Sequence, residues 1–236
     1  MSDIILVHGA CHGAWCWRDV IPGLEARGHR VRALDMPGRG VPDDAGDLTL
    51  ADQADTILAA LDGPAVLVGH SAGGLSISAA AQAAPDKVQH LVYVAALLPR
   101  EGDSLGELMQ TLEGDRANLP ITRTENRLGY CFDTDGAGPK LYNGATEDQM
   151  AWALPQICAE PSGPHRDRIK LGAAFDALPK SYIRCQQDLG IPAIDQTRLA
   201  ADLPAQNIHD LDTGHSPFLS EAPALTALID QIAKEG

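Results

Sequence analysis

Short apolar runs alternate with longer amphipathic stretches over most of the chain. The apolar runs predict β-strands at residues 4–7, 31–34, 65–68, 88–94, 181–185 and 207–211. Stretches with apolar residues at helical spacing predict helices at residues 15–27, 50–61, 74–84, 195–201 and 221–234. Alternation of buried strands with helices is typical of a mostly parallel sheet flanked by helices on both faces. The pattern therefore predicts an α/β fold.

Residues 99–177 break this alternation. Short amphipathic pieces are interrupted there by many glycines, and no regular succession of strand and helix is visible. We interpret this stretch as a helical cap inserted between core strands, with long surface loops as the alternative for parts of it. The predicted α/β core then comprises residues 1–98 and 178–236.

Composition and charge limit the domain organisation, the partners and the location that we expect. The chain has 236 residues, 44% of them hydrophobic, which favours one domain with an insertion over two independent domains. The formal net charge of −14 argues against nucleic acid and anionic membranes as partners, because both select a basic surface. No signal-like leader and no run of ~20 apolar residues is visible, so we expect a cytoplasmic protein. The five cysteines are scattered and odd in number, which is typical of reduced thiols.

Residues 69–73 read Gly-His-Ser-Ala-Gly and stand between a predicted strand and a predicted helix. In a strand-turn-helix elbow of the form Gly-x-Ser-x-Gly, the serine is exposed at the tip as a nucleophile. The residues two before and two after it must be small so that strand and helix can approach, and Gly69 and Gly73 meet that need. The alternative is a chance occurrence of the pattern in a glycine-containing turn. The flanking elements favour a serine hydrolase with Ser71 as nucleophile.

A serine nucleophile needs a general base, and the base needs a carboxylate that orients it. In a fold with this elbow, both follow the serine on loops after late strands, with the acid first. His215 follows the last predicted strand, and Asp188 lies three residues after the strand before it. We therefore predict a catalytic set of Ser71, Asp188 and His215. The alternatives for the acid are Asp195, Glu101 and Asp103.

We do not expect any of the other histidines to be the catalytic base. His70 neighbours the serine, but we expect its side chain to point away from the tip of the elbow. Solvated or internally satisfied side chains are the expectation for four others, which are His29, His90, His165 and His209. The last two, His8 and His12, belong to the glycine-containing loop after the first strand.

An ester-cleaving serine also needs two main-chain N–H groups for the oxyanion. We expect one from Ala72, the residue after the nucleophile, and the other from Ala10 in the loop after the first strand. The glycines of that loop let its backbone approach a substrate closely. A metal site is the alternative interpretation of three neighbouring side chains, Cys11, His12 and Cys16. No second ligand pair with zinc spacing and no phosphate-binding motif occurs, so we predict no metal site.

Four segments together resemble one family of enzymes. They are residues 5–15, 28–35, 67–74 and 187–192, which read ILVHGACHGAW, GHRVRALD, LVGHSAGG and QDLGIP. In these segments the chain is similar to the α/β-hydrolases that include the plant methyl esterases and the hydroxynitrile lyases. The resemblance implies an α/β-hydrolase fold with a helical cap over an apolar pocket, no cofactor, and often a homodimer. It also implies the residue roles already predicted, which are catalytic Ser71, Asp188 and His215 and oxyanion donors at Ala10 and Ala72.

The same resemblance separates esterases from lyases. The (S)-selective lyases carry a threonine at the position of Gly9 and a lysine at the position of Ser216, and the (R)-selective ones carry an asparagine at the position of Gly9. Glycine at position 9 matches the esterases. We therefore expect a serine carboxylesterase that acts on a small ester through an acyl-enzyme, with Gly9, His12 and Ser216 beside the substrate. A lyase and a non-catalytic ligand-binding receptor of the same fold are the alternatives.

Overall fold

The computed structural model describes residues 1–112 and 119–235, so residues 113–118 of the predicted cap lie outside it. Its strands are β1 (Asp3–Val7), β2 (Arg30–Leu34), β3 (Ala65–His70), β4 (Val88–Val94), β5 (Ile121–Arg123), β6 (Gly129–Phe132), β7 (Glu160–Pro161), β8 (Lys180–Cys185) and β9 (Ile208–Leu211). Six of them form one sheet in the order β2-β1-β3-β4-β8-β9, and all neighbours in it are parallel. The predicted α/β fold with a mostly parallel sheet is confirmed.

Helices connect these strands. They are α1 (Ile21–Glu25), α2 (Leu50–Ala59), α3 (Gly73–Ala83), α4 (Leu105–Thr111), α5 (Thr134–Leu141), α6 (Glu147–Ala153), α7 (Gly163–Arg166), α8 (Ala173–Asp176), α9 (Ala193–Leu199), α10 (Pro217–Ser220) and α11 (Ala222–Glu235). Among the described residues, no helix is long and apolar enough to cross a membrane.

Alternate side chains of the sheet enter two separate cores. In β1, Ile4 and Leu6 join a buried cluster that includes α1 and α11. Ile5 and Val7 point to the opposite face, into a cluster that includes α2 and α3. This follows from the two-residue period of a strand, and it explains why the central strands are apolar at nearly every position. Each such fully buried side chain contributes about 1.5–3 kcal/mol of transfer free energy.

The predicted helix at residues 15–27 is wrong. A 3₁₀ turn over Ala14–Trp17 and the short helix α1 stand in its place. Pro22 lies in the first turn of α1, where its missing N–H costs nothing. In the interior of a continuous helix the same ring would clash with the preceding turn, so the chain begins a new helix there.

The segment between β4 and β8 is not purely helical. It contains α4 to α8, but also a three-stranded antiparallel sheet in the order β5-β6-β7. These strands have only two to four residues each, too few for a recognisable alternation of apolar and polar positions. One face of the small sheet lines the cavity described below.

Candidate active site

Ser71 stands on a sharp turn between β3 and α3. Its φ of +52° is in the left-handed region, which costs a non-glycine residue of order 1–3 kcal/mol. A Cβ at Gly69 would lie 2.7 Å from the main-chain oxygen of Gly73, and a Cβ at Gly73 would lie 2.6 Å from that of His8. Only glycine fits at either position, because main-chain atoms cannot yield. The turn therefore holds the Ser71 hydroxyl at the carboxyl edge of the sheet.

Two further loops bring a histidine and a carboxylate to this serine. His215 Nε2 lies 3.1 Å from Ser71 Oγ, and His215 Nδ1 lies 2.8 Å from Asp188 Oδ2. Asp188 follows β8 and His215 follows β9, and both side chains are buried. Because the carboxylate accepts, Nδ1 carries the proton, which leaves Nε2 as the acceptor that faces the serine hydroxyl.

The Asp188 carboxylate is held by four hydrogen bonds. Oδ1 accepts from the main-chain N–H groups of Gly190 at 2.6 Å and Ile191 at 2.9 Å. Oδ2 accepts from His215 and from the side-chain amide of Gln196 at 2.8 Å. Gln196 is itself buried in α9 and donates to the main-chain oxygen of Ile191 at 2.6 Å. The carboxylate therefore has one orientation, fixed by α9 and by the loop that precedes it.

Two residues outside the predicted catalytic set hold the His215 loop in place. The ring of His70 donates from Nε2 to the main-chain oxygen of His215 at 2.8 Å, and burial lowers the pKa of His70 well below its usual range. Asn143, at the end of α5, accepts from the main-chain N–H of His215 at 3.4 Å. His70 also lines the cavity that contains Ser71, while its Nε2 faces the loop of His215.

The loop after β1 approaches the serine from the other side. Ala10 and Ala72 both line the cavity beside Ser71, and within the described chain the main-chain N–H of neither is bonded to another group. The residue after Ala10 anchors this loop, because the main-chain N–H of Cys11 donates a hydrogen bond to the carboxylate of Glu160 in β7. Burial alone would raise the pKa of Glu160, but the attraction and hydrogen bond of His165 at 2.7 Å, together with His8 and the N–H of Cys11, outweigh burial and lower that pKa.

A model of the alpha/beta hydrolase family matches residues 4–227, which is nearly the whole chain. The chain belongs to the alpha/beta hydrolase family. Methylesterase 7 of Arabidopsis thaliana is 30% identical to it, over 98% of this chain and 96% of that protein. A pyrethroid hydrolase of Sphingobium wenxiniae is 31% identical, over 99% of this chain and 88% of that protein. The similarity to the plant methyl esterases that the motifs predict is confirmed.

Solved structures resemble this alpha/beta hydrolase over its full length. The crystal structure of the pyrethroid hydrolase PytH superposes with a TM-score of 0.86 at 28% identity, covering 99% of this chain and 97% of that one. Polyneuridine aldehyde esterase superposes with a TM-score of 0.84 at 21% identity, covering 98% of this chain and 99% of that one. The second likeness supports the fold alone.

His12 supports the loop of this alpha/beta hydrolase that carries Ala10. Its ring donates from Nδ1 to the main-chain oxygen of Ala10 at 2.7 Å and accepts at Nε2 from the hydroxyl of Tyr142 at 2.8 Å. Burial lowers the pKa of His12 to about 4, so the ring is neutral at physiological pH. Gly9 and His12 both line the cavity, whereas Ser216 is buried outside its lining. The predicted contact of Ser216 with a substrate is therefore not supported.

A cavity of about 710 Å³ opens in front of Ser71. Its walls are mostly apolar, and they include Leu97, Leu105, Met109, Leu119, Phe132 and Ile191. The size falls within the range of sites for drug-sized ligands, which is larger than a minimal ester requires. The cavity therefore accommodates a substrate with an extended apolar body.

The alternative metal site is not assembled. Within the described ranges, no group of three or more His, Cys, Asp or Glu side chains could hold a metal ion. The thiol of Cys16 donates to the main-chain oxygen of Gly13 at 3.0 Å, and His12 is occupied by Ala10 and Tyr142. The three side chains considered from the sequence therefore serve the packing of this loop.

Proposed function

We propose that this alpha/beta hydrolase is a serine carboxylesterase that cleaves small esters through an acyl-enzyme on Ser71. One observation carries the proposal: Ser71 Oγ, the His215 ring and the Asp188 carboxylate form a continuous series of hydrogen bonds at 3.1 and 2.8 Å that opens into the cavity. This arrangement provides a nucleophile, a base and a group that orients the base.

The first half of the reaction forms an ester on the serine. Ser71 Oγ attacks the carbonyl carbon of the substrate while His215 Nε2 takes the hydroxyl proton. The negative charge on the former carbonyl oxygen is stabilised by the N–H groups of Ala10 and Ala72. When the tetrahedral intermediate collapses, the bond to the alcohol oxygen breaks and His215 returns the proton to the leaving alcohol.

Water then repeats the sequence on the acyl-enzyme. His215 takes a proton from water, the resulting oxygen attacks the acyl carbon, and the carboxylic acid leaves as Ser71 regains its proton. Asp188 keeps the imidazole in the correct tautomer throughout and stabilises the imidazolium when it forms. No step requires a cofactor.

Relatives named methylesterase and pyrethroid hydrolase support this assignment over nearly the full length of the chain. The space around Gly9 argues against the lyase alternative, which requires a larger side chain there. A Cβ at this position would lie 2.8 Å from Ser71 Cβ and 3.3 Å from the main-chain oxygen of His70. A threonine or asparagine at this position would need a different backbone. We further propose that the segment between β4 and β8 acts as a cap over the cavity. A homodimer, which the resemblance implies, remains a prediction.

A hydrolysis screen tests the proposal. The wild-type protein should hydrolyse p-nitrophenyl and methyl esters of several acyl lengths, and Ser71→Ala should be inactive while remaining folded. A serine-directed organophosphonate should add one phosphonyl group at Ser71, which mass spectrometry locates. Hydrolysis that persisted in Ser71→Ala would refute the proposal, and so would labelling at another residue.

A further inference from the structure

Three arginines that line the cavity have no carboxylate partner in the part of the chain that the structure describes. Of the twelve arginines in the described residues, nine lie within 4.0 Å of an Asp or Glu side chain. The other three are Arg123, Arg127 and Arg166, and all three line the cavity that contains Ser71. Acidic residues outnumber basic ones by 32 to 18 in this chain, yet no Asp or Glu among the described residues lines that cavity. Unpaired cations and the catalytic serine therefore share one cavity.

The topology brings these arginines to one side of the cavity. Arg123 lies directly opposite Tyr130 in the antiparallel pair of β5 and β6, so both side chains lie on the same face of that sheet. Arg127 lies in the turn that joins the two strands. The hydroxyl of Tyr130 lies 3.0 Å from Nδ1 of His165, and Arg166 is the next residue of α7. The cationic side is thus built by one hairpin and one short helix.

The rest of the cavity wall is mostly apolar and includes Ala10 in the loop after β1 and residues of α4. A ligand that spans the cavity would therefore meet apolar side chains along its body and guanidinium groups at one end. A guanidinium presents N–H donors in a planar fork that matches the two oxygens of a carboxylate. The protein has a net charge of −14, but these three arginines have no carboxylate partner among the described residues, so the local charge at this side of the cavity is positive.

We propose that the natural substrate is an ester that also carries a carboxylate, joined to the ester by an apolar spacer. The ester lies at Ser71, the spacer lies against the apolar wall, and the carboxylate binds the arginine side formed by Arg123, Arg127 and Arg166. This inference rests on the proposed esterase function and names its substrate class. An apolar cavity without this side would favour the neutral ester, because a charged group loses hydration on entering it.

Matched ester pairs test the inference. Monomethyl adipate and methyl hexanoate differ in a carboxylate on the acyl side, and 4-acetoxybutanoate and butyl acetate differ in a carboxylate on the alcohol side. In at least one pair, kcat/KM of the wild-type protein should be about tenfold or more higher for the anionic ester, and 0.5 M NaCl should reduce that ratio. A preference for the neutral ester in both pairs would overturn the inference, as would a ratio that salt does not change.

Substitutions locate the effect. Arg123→Gln, Arg127→Gln and Arg166→Gln should each lower the ratio of anionic to neutral kcat/KM, chiefly through KM, and the triple variant should bring the ratio near or below one. Arg32→Gln is the matched control, because Arg32 lies on β2 and the substitution removes the same charge from an exposed ion pair with Asp62. The ratio should be unchanged in this control. An unchanged ratio in the three single variants would refute the assignment of the site, even if the triple variant failed to fold.

Binding to Ser71→Ala separates this inference from the proposed function. If the wild-type protein cleaved no ester, the esterase proposal would fail, but the arginine side could still be tested by calorimetry without turnover. Ser71→Ala should bind monomethyl adipate or 4-acetoxybutanoate more tightly than the neutral partner, and the arginine substitutions should weaken that binding by about tenfold. Equal binding of the anionic and neutral esters would overturn the inference independently of catalysis.

Discussion

The side-chain amide of Asn143 donates a 2.7 Å hydrogen bond to the main-chain oxygen of Gln187, the residue before Asp188. The oxygen of the same side chain accepts from the main-chain N–H of His215 at 3.4 Å. One side chain just after α5 thus connects the loop of Asp188 with the loop of His215. Asn143 touches no reacting atom, so we describe it as a positioning residue.

Asn143→Ala should lower kcat about tenfold with little change in KM, because the acid and base loops lose their shared support while the cavity wall stays in place. Asn207→Ala is a matched control, since its side chain donates a similar bond to the main-chain oxygen of Lys180 at 2.9 Å on the core sheet. Steady-state kinetics and melting temperatures of both variants should separate positioning from general stability. An equal loss of kcat in both would contradict the positioning of the loops by Asn143.

Ser71→Ala and His215→Ala should each lower kcat by on the order of 10⁴-fold or more, and the double variant should be little worse than either. The reason is that nucleophile and base act as one unit, so the second substitution removes nothing that still operates. Circular dichroism of each variant checks that the fold is retained. Losses that multiplied in the double variant would show that the two side chains act independently.

Asp188→Asn should lower kcat by on the order of 10²- to 10⁴-fold, because an amide no longer selects the His215 tautomer that leaves Nε2 free to accept. Asp195→Asn provides the comparison, since Asp195 is an equally buried acid in α9 that the sequence offers as an alternative. Its kcat should stay within a few-fold of the wild type. A larger loss of kcat in Asp195→Asn than in Asp188→Asn would assign the role of the acid to Asp195.

Gly9→Ala should lower kcat/KM by about 10²-fold and destabilise the fold by about 1–3 kcal/mol. The added Cβ would lie 2.8 Å from Ser71 Cβ and 3.3 Å from the main-chain oxygen of His70, so the oxyanion loop must move away from the elbow. Gly63→Ala is the control, because no atom lies within 4 Å of a Cβ there. Wild-type kinetics in Gly9→Ala would show that the loop tolerates the shift.

Acid should destabilise the protein through buried neutral histidines. The pKa of His12 is about 4 in the fold, below the ~6.5 of an exposed histidine, so only the unfolded chain binds this proton between those values. The contribution of His12 is fully present above pH 6.5 and is lost as the pH falls toward 4, at a cost of about 3 kcal/mol. Burial lowers the pKa of His8 and His70 in the same direction.

Chemical denaturation between pH 4 and 7 measures this effect. The free energy of unfolding of the wild type should fall steeply below pH 6.5, and His12→Gln should take up about one proton fewer on unfolding near pH 5. The slope against pH is the quantity to compare, because the substitution also changes the bonds to Ala10 and Tyr142. An identical slope in the two proteins would show that the His12 ring is not kept neutral by the fold.

Local sequence determined the turn between β3 and α3, because the residues that must be small there are close neighbours in the chain. Gly69, Ser71 and Gly73 lie within five residues, and the strand before them and the helix after them follow from short-range patterns of apolar residues. The parallel sheet and membership of the alpha/beta hydrolase family were predictable for the same reason. Where a local rule was overlooked, as with Pro22, the predicted helix was wrong.

The order of loops after the strands led from sequence to Asp188 and His215, since the carboxyl ends of parallel strands meet at one edge. No such rule leads to Asn143, Gln196 or Glu160. Asn143 and Glu160 lie far in the chain from His215 and Cys11, the residues that they hold, and polar residues of all three types occur throughout the sequence. Their selection depends on which side chains the packing of the insertion, for Asn143 and Glu160, and of α9, for Gln196, brings within hydrogen-bond distance.

The sequence by itself therefore determined the fold, and short spacings and strand connectivity predicted the nucleophile and the order of the proposed catalytic groups. Only the tertiary structure decided how the loop after β1 is supported, which strands form the cavity wall, and which arginines have no carboxylate partner among the described residues. A charged residue looks the same in sequence whether it is paired or not. Pairing is a property of distances between separate segments, and those distances exist only once the insertion packs on the sheet.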